Sequence, residues 1–275
     1  MDDKPTQGDK AQRFAALHRE GCFIIPNPWD AGSAKLLETL GFQALASTSA
    51  GFAFSLAKPD MGITRAQKMQ HLRELCAAVS LPVSTDLQNG FGDSPEEAAR
   101  TITLAAQAGV VGGSIEDATG RSDDPIYDIG LARERVQAAA EAARATGFPF
   151  LLTARAENLL WGRRDLPDTI RRLQAFQDAG ADVLYAPGLR TIEEVRAVVQ
   201  SVDRPVNVLA GSPGMALTFA QLRDAGVRRV SVGGALARAA YSALLGAGRE
   251  MLEQGTFGFA QAGTANKVFN EIFRG

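Results

Sequence analysis

The sequence predicts an α/β chain folded as a (β/α)8 TIM barrel, on three observations. Eight short apolar runs recur along the 275 residues. Each gives way to a longer stretch with helical spacing, and a glycine closes most of those stretches just before the next run. No Pro-, Gly- or Ser-rich linker interrupts this alternation, so residues 1–275 read as a single barrel domain, and barrels of about 250 residues commonly fold as one unit.

An N-terminal helix over 9–20 precedes the first strand run, FIIPNPW (23–29). The other seven runs are ALASTS (44–49), PVSTDLQ (82–88), GGSIED (112–117), FLLTARAE (150–157), DVLYAPG (182–188), PVNVLAG (205–211) and RVSVGG (229–234). Among the helical stretches, SPEEAARTITLAAQAG carries a cap signal in Ser94 and Glu97, and DLPDTIRRLQAFQDAGAD ends at Gly180. The endings LGF, AGV, TGF, AGAD and AGV stand before strands 2, 4, 5, 6 and 8, where a helix C-cap glycine opens a short loop. A final helix over 264–273 carries Val268, Phe269, Ile272 and Phe273 with little barrel left to cover. Association of copies through that helix is the expectation.

Composition narrows the function. Hydrophobic residues make up 45% and charged residues 22%, with a formal net charge of -2, so nucleic acid and anionic membranes are poor partners. The two cysteines, Cys22 and Cys76, lie far apart without CxxC spacing, which fits a reducing cytoplasm. MDDKPTQGDK lacks the apolar run of a signal peptide, and no apolar stretch is long enough to cross a bilayer. A soluble cytoplasmic protein is expected.

In a barrel of this kind chemistry gathers at the C-terminal ends of the strands. His18 and His71 fall in helical segments, where surface positions are the ordinary outcome, and neither cysteine stands at a strand end, so a His-based triad, a zinc site and a cysteine nucleophile are not expected. The six lysines also avoid the strand ends, with Lys58 nearest, which argues against a Schiff base. Oxygen donors remain. Asp86 and Glu116, ending adjacent strands, either share a hard cation such as Mg²⁺ or Mn²⁺, or cap helices and pair with arginines. Arg155 in TARAE either pairs with Glu116 or Glu157, or grips a substrate carboxylate. The glycines of LAGSPG (211–214) and VGGA (Gly233, Gly234) read as tight turns or as a phosphate cradle.

FIIPNPWDAGSAKLLETLGFQAL, STSAGFAFSLAKPDMG, PVSTDLQNGFGDSPE, AGVVGGSIEDATG, LLTARAEN and PVNVLAG, in this order across residues 10–255, resemble the isocitrate lyase and phosphoenolpyruvate mutase superfamily. The resemblance implies a (β/α)8 barrel, a homodimer or homotetramer exchanging its C-terminal helix, and Mg²⁺ (or Mn²⁺) with a small 2-oxo or 2-hydroxy carboxylate at the strand ends. It implies that Ser47, Thr48 and Ser49 grip the substrate, that Asp86 binds metal directly, and that Asp60 reaches the metal through water. Glu116 completes the metal shell, Arg155 binds substrate, Asn207 lines the pocket and Trp29 closes it. Gln88 stands where relatives have a second carboxylate of the metal site.

The chain also departs from the pattern. After IED it reads ATGRSDDPIYD, without the Lys-x-Cys-Gly-His of the lyases or the lysine and asparagine of the phosphonate-forming mutases, and YAPGL lacks the glutamate after strand 6. Asp60, Arg155 and Glu116 are then the expected catalytic residues, with Asp60, Tyr127 or a metal-bound water as the base candidates. Residues 118–129 are the expected lid, with Arg121 either reaching a distal carboxylate or solvated. The expected function is carbon-carbon cleavage of a 2-oxo dicarboxylate of the size of oxaloacetate or 2-oxoglutarate, by a decarboxylase or lyase, through a metal-stabilised enolate. Phosphoenolpyruvate or phosphonate chemistry and a non-catalytic 2-oxo-acid-binding barrel are the alternatives.

Overall fold

The computed structural model describes residues 5–212 and 214–274. Its strands are β1 Phe23–Ile25, β2 Leu45–Ala46, β3 Val83–Asp86, β4 Gly112–Glu116, β5 Leu151–Arg155, β6 Val183–Tyr185, β7 Val206–Leu209 and β8 Arg229–Ser231. All pair in parallel, in the spatial order β1-β8-β7-β6-β5-β4-β3-β2. Across the remaining seam, Ala46 N–H donates to the Pro26 carbonyl (3.0 Å) and Thr48 N–H to that of Pro28 (3.3 Å). Proline has no N–H to return, so the bonds at this seam run one way. The chain is a (β/α)8 barrel, with strands two to five residues long, shorter than the runs that announced them.

The helices are α1 Gln7–Leu17, α2 Ala31–Thr39, α3 Ser49–Ser55, α4 Arg65–Ala78, α5 Pro95–Gln107, α6 Ile129–Arg144, α7 Leu166–Asp178, α8 Ile192–Gln200, α9 Phe219–Asp224, α10 Ala235–Gln254 and α11 Asn266–Arg274. The five loop glycines singled out in the sequence, Gly41, Gly109, Gly147, Gly180 and Gly226, all take positive φ, between 82° and 106°. Ser94 caps α5, accepting from the Glu97 N–H, but the Glu97 carboxylate turns to Arg65 instead of completing the box. The short α3 is new: Thr48 caps it directly at the end of β2, accepting from Gly51 N–H (3.3 Å).

The main core lies between strands and helices, from Leu45 and Leu72 round to Leu222 and Val230. A smaller cluster places Ala11 and Phe14 of α1 against Phe23, Ala44 and Val111, closing the N-terminal end of the barrel. Inside that end, buried Arg229 donates to Asn207 (2.8 Å) and Thr153 (2.9 Å) and meets the His18 ring (3.3 Å). Burial, then Arg229, hold His18 neutral, with its pKa down to about 3. His71 of α4 is buried too, stacked on Phe52 at 3.8 Å and bonded to the Trp29 carbonyl (2.9 Å). Both histidines therefore correct the expectation of surface positions: each sits on the inward face of its helix. No helix among the described residues is long and apolar enough to cross a membrane.

Gly112 opens β4 because a Cβ there would lie 2.9 Å from both the Leu151 carbonyl and the Phe14 ring. Gly112→Ala should cost about 1–3 kcal/mol, since backbone and a packed ring cannot both yield. The shift of the urea midpoint measures it, and an unshifted midpoint would show that α1 gives way freely.

Candidate active site

Parallel register sets three charged side chains side by side at the C-terminal rim: β3 ends on Asp86, β4 on Glu116 and β5 on Arg155, with Glu116 directly paired to Arg155. The Arg155 guanidinium is shared among carboxylates. Its Nη1 donates to Asp86 (3.0 Å), Nη2 lies 3.2 Å from Glu116, and Nε donates to Glu157 (2.8 Å). The two ion-pair partners expected from sequence are both present, and Asp86 joins them. Beneath the guanidinium lies the Tyr185 ring, 5.1 Å from its carbon.

The charges do not balance. Asp86, Glu116, Glu157 and, on the rim, Asp60 face one guanidinium. Burial works against the Asp86 carboxylate, yet Arg155, Lys68 and the Ser49 hydroxyl hold it below its ordinary range. Burial lifts Glu116 well above the usual carboxylate range, and the charges of Glu157, Asp86 and Asp60 add to this against Arg155. Glu157 is lifted as well, first by burial. Asp60 is exposed on its loop, where partial desolvation and then Asp86 raise its proton affinity. Burial would lower the Arg155 value, but its three carboxylates carry it well above the ordinary one.

The other predicted residues divide. Ser49 belongs to the cluster, its hydroxyl donating to Asp86 (2.6 Å) with its N–H at 3.2 Å. Thr48 serves as the α3 cap, and the Ser47 hydroxyl bonds Thr85 (2.9 Å). Trp29 is half-buried beside α3. Asn207 is buried with its amide committed to Arg229 and Ser231. Gln88 is buried in a left-handed conformation (φ 53°), and its amide nitrogen has no hydrogen-bond partner.

One residue escaped the sequence reading. Lys68 of α4 is fully buried, and its Nζ donates to the Ser47 hydroxyl at 2.9 Å. The expectation that lysines avoid the strand ends is thereby corrected: a long side chain on the inward face of a flanking helix reaches what strand spacing does not record. The signal was a lysine among the apolar positions of KMQHLREL.

Residues 118–126 form a small flap closed by an antiparallel bridge between Ala118 and Ile126. Tyr127 Oη donates to Asp93 (2.6 Å), and Arg121 pairs with Asp93 (2.9 Å) and Asp124 (3.6 Å), so Arg121 is held at the rim by neighbouring acids. Beside the cluster, between this flap and the 61–65 and 88–91 segments, lies a cavity of ≈ 570 Å³ whose walls include Met61, Arg65, Gln88, Asn89 and Phe91. Of the glycine loops after β7 and β8, Gly233 receives the Asn27 side chain at its N–H (2.9 Å), while Pro213 lies outside the described residues.

Among the described residues no three His, Cys, Asp or Glu side chains form a ready metal cluster. The chemistry of the donors nevertheless suits a hard divalent cation, which takes one or two carboxylates with waters and ligand oxygens. Asp86 and Glu116 would supply those carboxylates, in a site with an unpartnered amide at Gln88.

Comparison with known proteins follows the same lines. The sequence model of the phosphoenolpyruvate phosphomutase family matches residues 14–252. The 2-methylisocitrate lyase of Escherichia coli (strain K12) is 30% identical over 223 residues, 78% of this chain and 74% of that protein. The oxaloacetate decarboxylase of Paraburkholderia xenovorans (strain LB400) is 28% identical over 264 residues, covering 93% and 86%. Among solved structures, a Burkholderia cenocepacia J2315 protein provisionally described as a lyase/mutase superposes with a TM-score of 0.96 at 57% identity, over 98% of both chains. A phosphonopyruvate hydrolase in complex with oxalate and Mg²⁺ superposes at 0.84 with 25% identity, over 98% and 95%.

Removing Arg155 tests the charge imbalance. Without it Glu116 and Glu157 lose the cation that lowers them, so their folded values rise further above the unfolded ones. A carboxyl raised in this way contributes stability at low pH that is lost as pH climbs through its folded value. In EDTA, Arg155→Met should therefore melt increasingly below wild type as pH goes from 5 to 8. A gap between the two melting curves that stays constant with pH would show that the carboxylates do not sense Arg155.

Proposed function

The chain belongs to the phosphoenolpyruvate phosphomutase family, and from that premise we propose that it is a divalent-metal-dependent enzyme that cleaves a carbon-carbon bond in a small 2-oxo dicarboxylate, with decarboxylation of an oxaloacetate-sized acid as the reaction. The observation that carries this is the Asp86–Arg155–Glu116 cluster at the ends of three adjacent strands. The oxaloacetate decarboxylase among the relatives supports the substrate class, and the 2-methylisocitrate lyase supports carbon-carbon cleavage. The Mg²⁺ and oxalate held by the phosphonopyruvate hydrolase support the cofactor, Mg²⁺ or Mn²⁺.

In this reading Asp86 and Glu116, with Gln88 beside them and Asp60 above, hold the cation. When bound it supplies positive charge against the oxygen that gains electron density as the carbon-carbon bond breaks. Arg155 presents two parallel N–H groups to the 2-oxo acid's carboxylate once they leave Asp86 and Glu116. The N–H and hydroxyl of Ser49, and the strand end at Ser47 and Thr48, orient the same end of the substrate. The cavity beside Gln88, with Arg65 and Asn89 on its walls, receives the distal group. Loss of CO2 leaves an enolate without prior proton abstraction, which suits a site whose Tyr127 hydroxyl is committed to Asp93.

The exposed apolar residues Leu244, Leu245, Leu252 and Phe257, with Val268 and Phe273 of α11, extend the proposal to a homo-oligomer. Leu245→Glu with Leu252→Glu should lower the mass measured by light scattering to that of the single chain. An already monomeric wild type would end that part of the reading.

The chemical test is incubation of purified protein and Mg²⁺ or Mn²⁺ with oxaloacetate, followed by pyruvate. Asp86→Ala should abolish metal-dependent turnover with the fold intact, and Arg155→Lys should raise KM tenfold or more, on the order expected when a fork is replaced by a point charge. Metal-dependent binding without turnover of any 2-oxo or 2-hydroxy acid would point to a non-catalytic barrel. Release of phosphate from a phosphonate would favour phosphonate chemistry.

A further inference from the structure

Lys68 has no part in the reading above, yet its place is costly. A fully buried ammonium loses its hydration, and among the described residues no carboxylate lies within ion-pair distance of it. Its neighbours fix the direction of a hydrogen-bond chain. The Ser47 oxygen receives Lys68 Nζ at 2.9 Å and the Asp86 N–H at 3.4 Å, which occupies both of its lone pairs. Its own hydrogen then goes to Thr85 (2.9 Å), and the Thr85 hydroxyl donates to the Asp86 carbonyl (3.3 Å). Every link converges on the strand end that carries Asp86, from the helix layer outside the barrel.

We propose that Lys68 is a positioning residue that sets the charge balance of the site from behind β2 and β3, strengthening its hold on an anionic ligand while weakening its hold on the cation. This rests on the reading of Asp86 and Glu116 as a cation site. The geometry supports an electrostatic role over simple packing: a methionine would fill the same slot without desolvating a charge. Burial pushes the ammonium down to about 8, and the Asp86 charge resists the shift. With a glutamine at 88 instead of a carboxylate, this charge leaves the site depending on the ligand's own oxygens to retain a metal.

Opposite signs make the inference testable. Mn²⁺ binding is followed by electron paramagnetic resonance, and oxalate binding to the Mn²⁺-loaded protein by calorimetry, both at pH 7. Lys68→Met should tighten Mn²⁺ and weaken oxalate, each by about tenfold, the order expected for one charge a few ångströms beyond contact in a partly screened site. Lys68→Gln, a second neutral variant, should do the same. Lys68→Arg should stay within about threefold of wild type for both ligands. Loss of both affinities in the neutral variants, or no change in either, would overturn the proposal. Wild-type protein that binds neither Mn²⁺ nor oxalate would instead remove the metal site on which the inference rests.

Discussion

Sharing one guanidinium among three carboxylates is the constraint around which the mouth of the barrel is built. Arg155 can serve Asp86, Glu116 and Glu157 together only if three strands end at the same height, and the parallel register of β3, β4 and β5 provides that. Behind Glu157 the support continues. Asp117 accepts the Glu157 N–H at 2.7 Å and is itself held by Arg172, which also bonds the Tyr127 carbonyl. Burial carries the Asp117 carboxyl up to about 7, against the pull of that N–H and of Arg172. The rim is thus a network in which each charge is held by a second layer, and loss of one member leaves another buried and unpaired.

Among the described residues, the four non-glycine residues with positive φ gather in the loops over this network. Ala57 and Met61 flank the Asp60 turn, and Gln88 and Phe91 follow β3. Such conformations cost on the order of 1 kcal/mol or more each and persist where surrounding structure enforces them. Arg135 does the enforcing on the second loop: its guanidinium is buried against the carbonyls of Asn89, Gly92, Asp93 and Ser94, under the Tyr127 ring. Strain, an unpartnered amide and a cavity wall coincide at Gln88.

The fold was legible because periodicity and loop glycines are local properties. A glycine at Gly109 or Gly180 marks a helix end whatever lies across the molecule, and Asp86, Glu116 and Arg155 could be placed at strand ends from spacing alone. What spacing could not convey was direction from the flanking helices. Lys68 reaches the strand ends and the two histidines turn inward, because rotamer and helix phase decide where a long side chain goes. Asn207 shows the converse. Strand position alone does not say whether an amide faces ligand or is consumed by a neighbour, and here Arg229, itself unremarked in the sequence, consumes it.

Residues 118–129 hold no cysteine, histidine or lysine, and on the proposed reading this bears on which cleavage the remaining groups can support. Retro-aldol cleavage needs a base to take a hydroxyl proton, and the two side-chain candidates are unequal. Burial raises the Tyr127 phenol, and its hydrogen bond to Asp93 adds to this, so it is a poor acceptor at neutral pH. Asp60 keeps its place on the rim, and its raised proton affinity makes it a better acceptor than an ordinary aspartate. That proton affinity derives partly from Asp86, so a cation at Asp86 would draw it down again. A group that loses basicity when the site is loaded is ill suited to start a retro-aldol step, whereas loss of CO2 asks only for charge to receive the electrons and a fork to hold the carboxylate that stays.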